Sequence, residues 1–132
     1  MDKIIVQSDD FDLSAEVRLA SANNSSIGAI VSFVGTVRDL QSKSLNSMTL
    51  EHYPGMTEKS LELIAKKARD NWELQSITII HRIGTLEVND QIVLVIVASK
   101  HRQEAFDSCN FIMDYLKTDA PFWKKESTEN KE

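Results

Sequence analysis

Residues 91–99, QIVLVIVAS, decide the fold. The run is apolar on both alternating faces and rich in β-branched side chains. That pattern belongs to a strand buried on both sides, near the middle of a sheet. Such a strand needs other strands along its edges and helices over its faces, and the flanking sequence offers both. After Ser99 the pattern turns helical: Ala105, Phe106, Cys109, Met113 and Leu116 fall on one stripe. Pro121 forbids continuation, so this helix is expected to end near Lys117 or Thr118. On the other side, ITIIHRIG (77–84) reads as a second strand, joined through a short polar connection at Asn89-Asp90.

Further out, GAIVSFVGTVRD (28–39) is a strand apolar on both faces and interrupted by Gly35. A glycine inside a strand marks a bulge or a close approach to the backbone. KIIVQS (3–8) is a short strand, and residues 11–24 hold a short helix with Ser14 as N-cap and Asn23-Asn24 as its stop. LQSKSLNS (40–47) is polar and aperiodic, hence a loop, whereas MTLEHY (48–53) alternates as a half-exposed strand. Pro54-Gly55 makes a turn, Thr57 caps the next helix, and Leu61, Ile64, Ala65, Ala68 and Trp72 form its apolar stripe. The order β, α, β, β, α, β, β, α predicts an α+β fold: a mixed or antiparallel sheet with helices packed on it.

The length of 132 residues predicts a single domain over 1–132, with 126–132 a polar tail. The net charge of −5 argues against a general nucleic-acid binder but leaves room for a local basic pocket. The one cysteine, Cys109, rules out an internal disulfide and suits a reducing, cytoplasmic setting. The N-terminus MDKIIVQSDD lacks a signal-peptide apolar segment, and no run is long enough for a membrane helix. Cysteine and histidine are too few and scattered for a structural zinc site, and no phosphate-binding glycine loop is present.

The chemistry has to be sought among cations. Lys100, His101 and Arg102 follow Ser99, a candidate N-cap of the last helix. Cations in a first turn oppose the helix dipole. Either they bend into solvent or an anion joins them there. Arg38 ends the 28–39 strand and pairs with Asp39 or offers its planar fork to a phosphate. Lys117 and Lys124 flank Ala120-Pro121-Phe122-Trp123, an aromatic turn suited to anchoring in apolar surface and fixing where both lysines point. Clustered cations disfavour each other's protonated form, which can prepare a lysine for proton transfer. The plainer reading is a helix end followed by a charged tail. Cys109 lies on the apolar stripe and reads as a core thiol, and His52 and His81 read as hydrogen-bonded strand residues.

Five segments in series carry a resemblance. FVGTVRD (33–39), LEHYPGMTEKSL (50–61), HRIGTLEVND (81–90), His101-Arg102 with Ala105-Phe106, and DYLKTDAPFWKKE (114–126) together resemble the large, catalytic subunit of molybdopterin synthase. The match runs in order from about Gly28 to Glu126. It implies an α/β-hammerhead fold and a sulfur-transfer activity in molybdenum cofactor biosynthesis. In that family two sulfurs enter cyclic pyranopterin monophosphate and form the dithiolene of molybdopterin. The sulfur arrives as a thiocarboxylate on the C-terminal Gly-Gly of a small ubiquitin-like subunit. A homodimer of large subunits stands at the centre of a heterotetramer. By motif, the resemblance implies catalytic roles for Lys117 and Lys124. It implies substrate contacts for these two lysines and for Thr36, Val37, Arg38, His101, Arg102, Lys125 and Glu126, with His101 and Arg102 reaching in from the neighbouring protomer. It implies neither a metal nor a resident cofactor, since the pterin is substrate and the partner brings the sulfur. Asn89-Asp90 departs from the Gly-acidic turn expected there. Asparagine tolerates positive φ, so the turn is expected to survive.

Overall fold

The computed structural model describes residues 2–38, 45–120 and 122–128. In chain order the elements are β1 (Asp2–Gln7), α1 (Leu13–Ser21), β2 (Ala29–Thr36), β3 (Leu45–His52), α2 (Met56–Asn71), β4 (Ser76–Arg82), β5 (Gly84–Leu86), β6 (Gln91–Ser99), α3 (Arg102–Thr118) and β7 (Phe122–Thr128). They build two sheets, one ordered β1-β4-β6-β2 and the other β5-β3-β7. In the first, β1 runs parallel to β4 and the remaining pairs are antiparallel. The fold is α+β with a mixed sheet, as the order of patterns predicts.

The apolar run at 91–99 is an interior strand, and both its faces are covered. Val93, Val95 and Val97 join Leu61, Ile64, Ala68, Ile77, Ile79 and Ile112 under α2 and α3. Leu94 and Ile96 turn the other way and pack with Phe11 and Ile80 beneath α1. Each fully buried aliphatic side chain contributes roughly 1.5–3 kcal/mol, so this double-faced strand is the mechanical centre of the chain. A third, smaller cluster of Val37, Met48, Leu50 and Leu86 holds the three-stranded sheet to the end of β2. There Val37 donates its N–H to Asp90 O at 2.9 Å and accepts from Asn89 N–H at 2.7 Å.

Several local expectations are corrected. The N-cap of α1 is Asp12, whose carboxylate accepts from Ala15 N–H, not Ser14. Helix α2 is capped at Gly55, whose N–H is received by Glu58 at 2.8 Å, while Thr57 lies inside the helix and its hydroxyl accepts from Tyr53 N–H. The N-cap of α3 is His101; Ser99 instead donates its hydroxyl to His101 O at 2.6 Å. The stretch 77–84 divides at Gly84, where φ of 92° turns the chain from β4 into β5 on the second sheet. Leu45–Ser47, expected in a loop, begins β3; the rest of that loop, 40–44, lies outside the described residues. Residues 122–128, expected as turn and polar tail, form β7 against β3. Two expectations hold in detail: the β2 register shifts between Gly35 and Thr36, and Asn89 adopts φ of 77°.

Candidate active site

The crossing from β6 into α3 sets the geometry. Helix α3 begins three residues after Ser99 and runs back antiparallel to β6, over β6 and β2. Its start therefore lies at one end of the β2/β6 pair and its finish at the other. Register confirms the two ends: Ala29 pairs with Ser99, and Thr36 pairs with Gln91. At roughly 3.3 Å per residue the two ends of β2 stand about 23 Å apart. A helix rising about 1.5 Å per residue covers a similar distance between Arg102 and Lys117.

The candidate cations are thereby divided. At the α3 N-terminus, His101 and Arg102 are exposed and line a cleft of about 490 Å³ with Gly28, Ala29, Lys100 and Gln103. Gly28 is required here, because a Cβ at that position would lie 2.4 Å from the Lys100 carbonyl oxygen. His101 caps α3 without a side-chain bond, so this cleft carries helix N–H dipoles as well as charge. Lys100 leans away, 3.7 Å from Glu73.

At the other end, Thr36 and Arg38 are exposed and Val37 is buried between them, which anchors the strand end and turns both neighbours outward. Lys117 is exposed in the last turn of α3. Lys124, Lys125 and Glu126 are placed by backbone register alone: they pair with Leu50, Thr49 and Met48 of β3. Phe122, at the head of the same strand, stacks on His81 with ring centroids 3.7 Å apart. His81 pairs with Val93, and Val93 pairs with Gly35, so the head of β7 sits over the row that ends beside Thr36. The fold brings Lys117, Lys124 and the Thr36–Arg38 strand end to one end of the molecule. It leaves His101 and Arg102 at the opposite end.

Between the ends runs a feature the sequence reading missed. Phe106, Asn110, Met113 and Lys117 follow at helical spacing along the side of α3 next to β2. With Val31, Ser32 and Phe33 the first three line a trough of about 380 Å³. Phe106, expected in the core, is 59% exposed, and Phe33 is 41% exposed. The true buried stripe of α3 is Ala105, Ser108, Cys109 and Ile112. A second set at i, i+4, i+7 and i+11 ending on Lys117 was the available signal. Gly35 lets the Phe33 ring and Val93 pack close to the strand: a Cβ there would meet Val93 at 2.9 Å and the Phe33 ring at 3.3 Å. A further hollow of about 360 Å³, between α1 and β4, is lined by residues such as Lys3, Leu19, Ala20, Ser76 and Thr78, none of them a candidate cation.

Two buried titratable groups set limits on the chemistry. Burial pushes the Cys109 thiol up to about 11, which removes it as a nucleophile. Burial also holds the His81 imidazole down at about 4; the neighbouring His52 acts in the same direction, against the bond to the Arg82 carbonyl. His81 is therefore a neutral, flat, polar-edged plate at ordinary pH.

Comparison with known proteins bears on this arrangement. Residues 6–119 match the family model described as MoaE protein. The chain is 57% identical over 129 residues to the molybdopterin synthase catalytic subunit of Ralstonia nicotianae, covering 97% of this chain and 73% of that one. Among solved structures it is similar to the molybdopterin biosynthesis MoaE protein from Burkholderia ambifaria, with a TM-score of 0.88, 52% identity, and 97% and 88% of the two chains covered. It is also similar to a chain in the protein–protein complex of subunits 1 and 2 of molybdopterin-converting factor from Helicobacter pylori, with a TM-score of 0.79, 25% identity, and 98% and 86% covered. The chain belongs to the MoaE protein family.

Proposed function

We propose that the chain is the catalytic subunit of a molybdopterin synthase. It transfers sulfur into cyclic pyranopterin monophosphate from the C-terminal thiocarboxylate of a small ubiquitin-like partner. The family assignment supports the reaction, and a similar chain is found in a complex of two subunits. The observation that carries the mechanism is the division of the cations between two ends of one helix.

One copy of the chain cannot gather its own candidate residues, but two copies can. In the sheet order β1-β4-β6-β2, strand β2 is an edge; it presents exposed Phe33 beside exposed Phe106 on one face and exposed Ile30 on the other. An apolar open edge invites pairing with a second strand. Antiparallel pairing of β2 with β2 of a second copy is isologous, so each end of one strand meets the opposite end of the other. The His101–Arg102 end of one protomer then faces the Arg38–Lys117 end of its partner. Each of the two sites so formed has an aromatic trough for the pterin and cations from both sides for the phosphate. Two small subunits, one at each site, complete a heterotetramer.

In each transfer an acyl C–S bond of the partner breaks, a C–S bond forms on a substrate carbon, and that carbon's bond to oxygen breaks, the oxygen leaving as water or on the ring-opened phosphate. Water supplies the oxygen that leaves the partner as a carboxylate. Oxyanions form along this path, and protons must move. Lys117, on the rigid end of α3, stabilises the developing charge near the reacting carbons. Lys124, held on β7, assists in proton transfer. Arg38, His101 and Arg102 bind the phosphate, and Thr36, Val37, Lys125 and Glu126 shape the wall of the site. The pterin is substrate, and the partner brings the sulfur, so the chemistry calls for no resident cofactor.

The test is a product assay. The chain is combined with thiocarboxylated small subunit and cyclic pyranopterin monophosphate, beside Lys117→Ala. The expected result is dithiolene product from the parent and at least a ~100-fold lower rate from the folded variant. Equal rates would remove the assignment of Lys117, and absence of product from both would remove the proposed activity.

A further inference from the structure

The mechanism above makes no use of His81, yet the fold spends an unusual position on it. Residues Ser76–His81 of β4 are all buried, and the α2/α3-facing members of that strand are Ile77, Ile79 and then His81. A polar ring in such a row costs stability unless something is gained from it. His81 is 8% exposed, and its Nδ1 lies 2.9 Å from Arg82 O, which fixes the ring and makes Nδ1 the protonated nitrogen. Strand β4 itself is interior, paired with β1 on one side and β6 on the other. The imidazole is thus anchored on an interior strand by burial and a backbone hydrogen bond.

Against this ring lies Phe122, at an interplanar angle of 16°. Phe122 is the first residue of β7, which lies at the edge of its sheet and, among the described residues, pairs with β3 alone. Its cross-strand neighbour His52 stands 6.4 Å away at 25°, with His52 Nε2 3.6 Å from Glu58 Oε2 in the first turn of α2. On the chain side, Phe122 N–H donates to Ala120 O at 2.8 Å, and Ala120 N–H donates to Tyr115 O near the end of α3. Phe122 is therefore the joint between the helix that carries Lys117 and the strand that carries Lys124. Phe122 is also packed on the main apolar cluster of the first sheet.

We infer that His81 is a positioning residue for sulfur transfer: its ring is the fixed plate on which Phe122 seats the head of β7, and this sets where Lys124 stands relative to Lys117. An aliphatic residue would fill the same space but give Phe122 no plane to lie on. Two flat rings in contact fix a tilt as well as a distance. The inference rests on the catalytic reading of Lys124.

The experiment uses the full assembly with thiocarboxylated small subunit, comparing His81→Ala, His81→Phe and Lys124→Ala. Turnover of cyclic pyranopterin monophosphate is measured together with amide exchange in β7 and β6. In His81→Ala, kcat is expected to fall about tenfold to a hundredfold with KM little changed, because a misplacement near 1 Å has that effect on rate. Amides of β7 are expected to exchange faster while those of β6 keep their protection. His81→Phe retains the plate and is expected to restore kcat to within a few-fold. The inference is overturned if folded His81→Ala keeps full kcat, if β6 loosens together with β7, or if His81→Phe is as slow as His81→Ala. Full turnover in Lys124→Ala would strike the underlying reading of that lysine and the inference with it. Full turnover in His81→Ala beside an inactive Lys124→Ala would strike the inference alone.

Discussion

The four-stranded sheet is gripped from both faces, whereas the three-stranded sheet is held by one small cluster at its edge and one ring contact. In the first, α2 and α3 close over Val93, Val95 and Val97 while α1 closes over Leu94 and Ile96. In the second, the attachment is the small cluster of Val37, Met48, Leu50 and Leu86, with Phe122 of β7 seated on His81. The site takes one part from each. Lys117, His101, Arg102 and Arg38 stand on or beside the stiff sheet, and Lys124 stands on the lighter one. Under the proposed function, a pocket that admits an extended peptide and then closes on a pterin benefits from one firmly held wall and one more lightly held wall.

The comparison can be broken most severely by mixing subunits. Lys117→Ala and Arg102→Ala place their lesions at opposite ends of α3, and each homodimer is expected to be nearly inactive. In a re-equilibrated mixture, half the dimers would pair one doubly damaged site with one intact site, giving roughly a quarter of parental turnover. No recovery would show that each chain builds its site alone. Next in size is the contrast between the two cores. Leu94→Ala, at the centre of the stiff sheet, is expected to cost about 3–5 kcal/mol in denaturant unfolding with turnover per folded chain unchanged. Leu50→Ala is expected to cost less, about 2–3 kcal/mol, yet to lower turnover, since Leu50 is the register partner of Lys124. Equal effects of the two on turnover would erase the division of labour.

A smaller effect comes from pH. The His81 imidazole titrates at 6.5 in its ordinary state and at about 4 in the fold. Between those values the unfolded chain binds the proton and the folded chain does not, so stability falls as pH is lowered through that window. The full loss is about 3 kcal/mol, and His81→Phe should abolish this part of the acid limb. Asp10 acts in a separate window. The Gln91 amide lowers its carboxyl from 3.8, so its contribution is lost only at more acid pH. The smallest test sits at the junction of the sheets. Asn89→Ala should cost about 1 kcal/mol at its positive φ, and Asn89→Gly only a few tenths.

The stiff sheet was the more legible half. Its strands are apolar on both faces and β-branched, so 91–99, 28–39 and 77–84 announce themselves without any tertiary information. The lighter sheet hid in two places. Strand β5 is only three residues long and follows β4 with one residue between, so a period-2 pattern cannot separate it; Gly84 was the only clue. Strand β7 contains FWKKEST, whose charges and hydroxyls resemble a solvated tail, and its stability comes from pairing with β3. Caps were misassigned for a related reason. Ser14, Thr57 and Ser99 have the right chemistry, but Asp12, Gly55 and His101 hold the cap positions because the packed helices begin there. At the site, residue type and motif were enough to nominate the cations. Their separation by the length of α3 was not readable, since it follows from the direction in which that helix returns along β6.

The open edge of β2 has a consequence in mass action. If two of the three cations proposed to bind the phosphate, His101 and Arg102, are lent by a second copy, a solitary chain is an incomplete catalyst however well it folds. Turnover per chain then ceases to be a constant of the molecule and becomes a function of its concentration. It is flat where dimers dominate and falls in proportion to dilution below the dissociation constant.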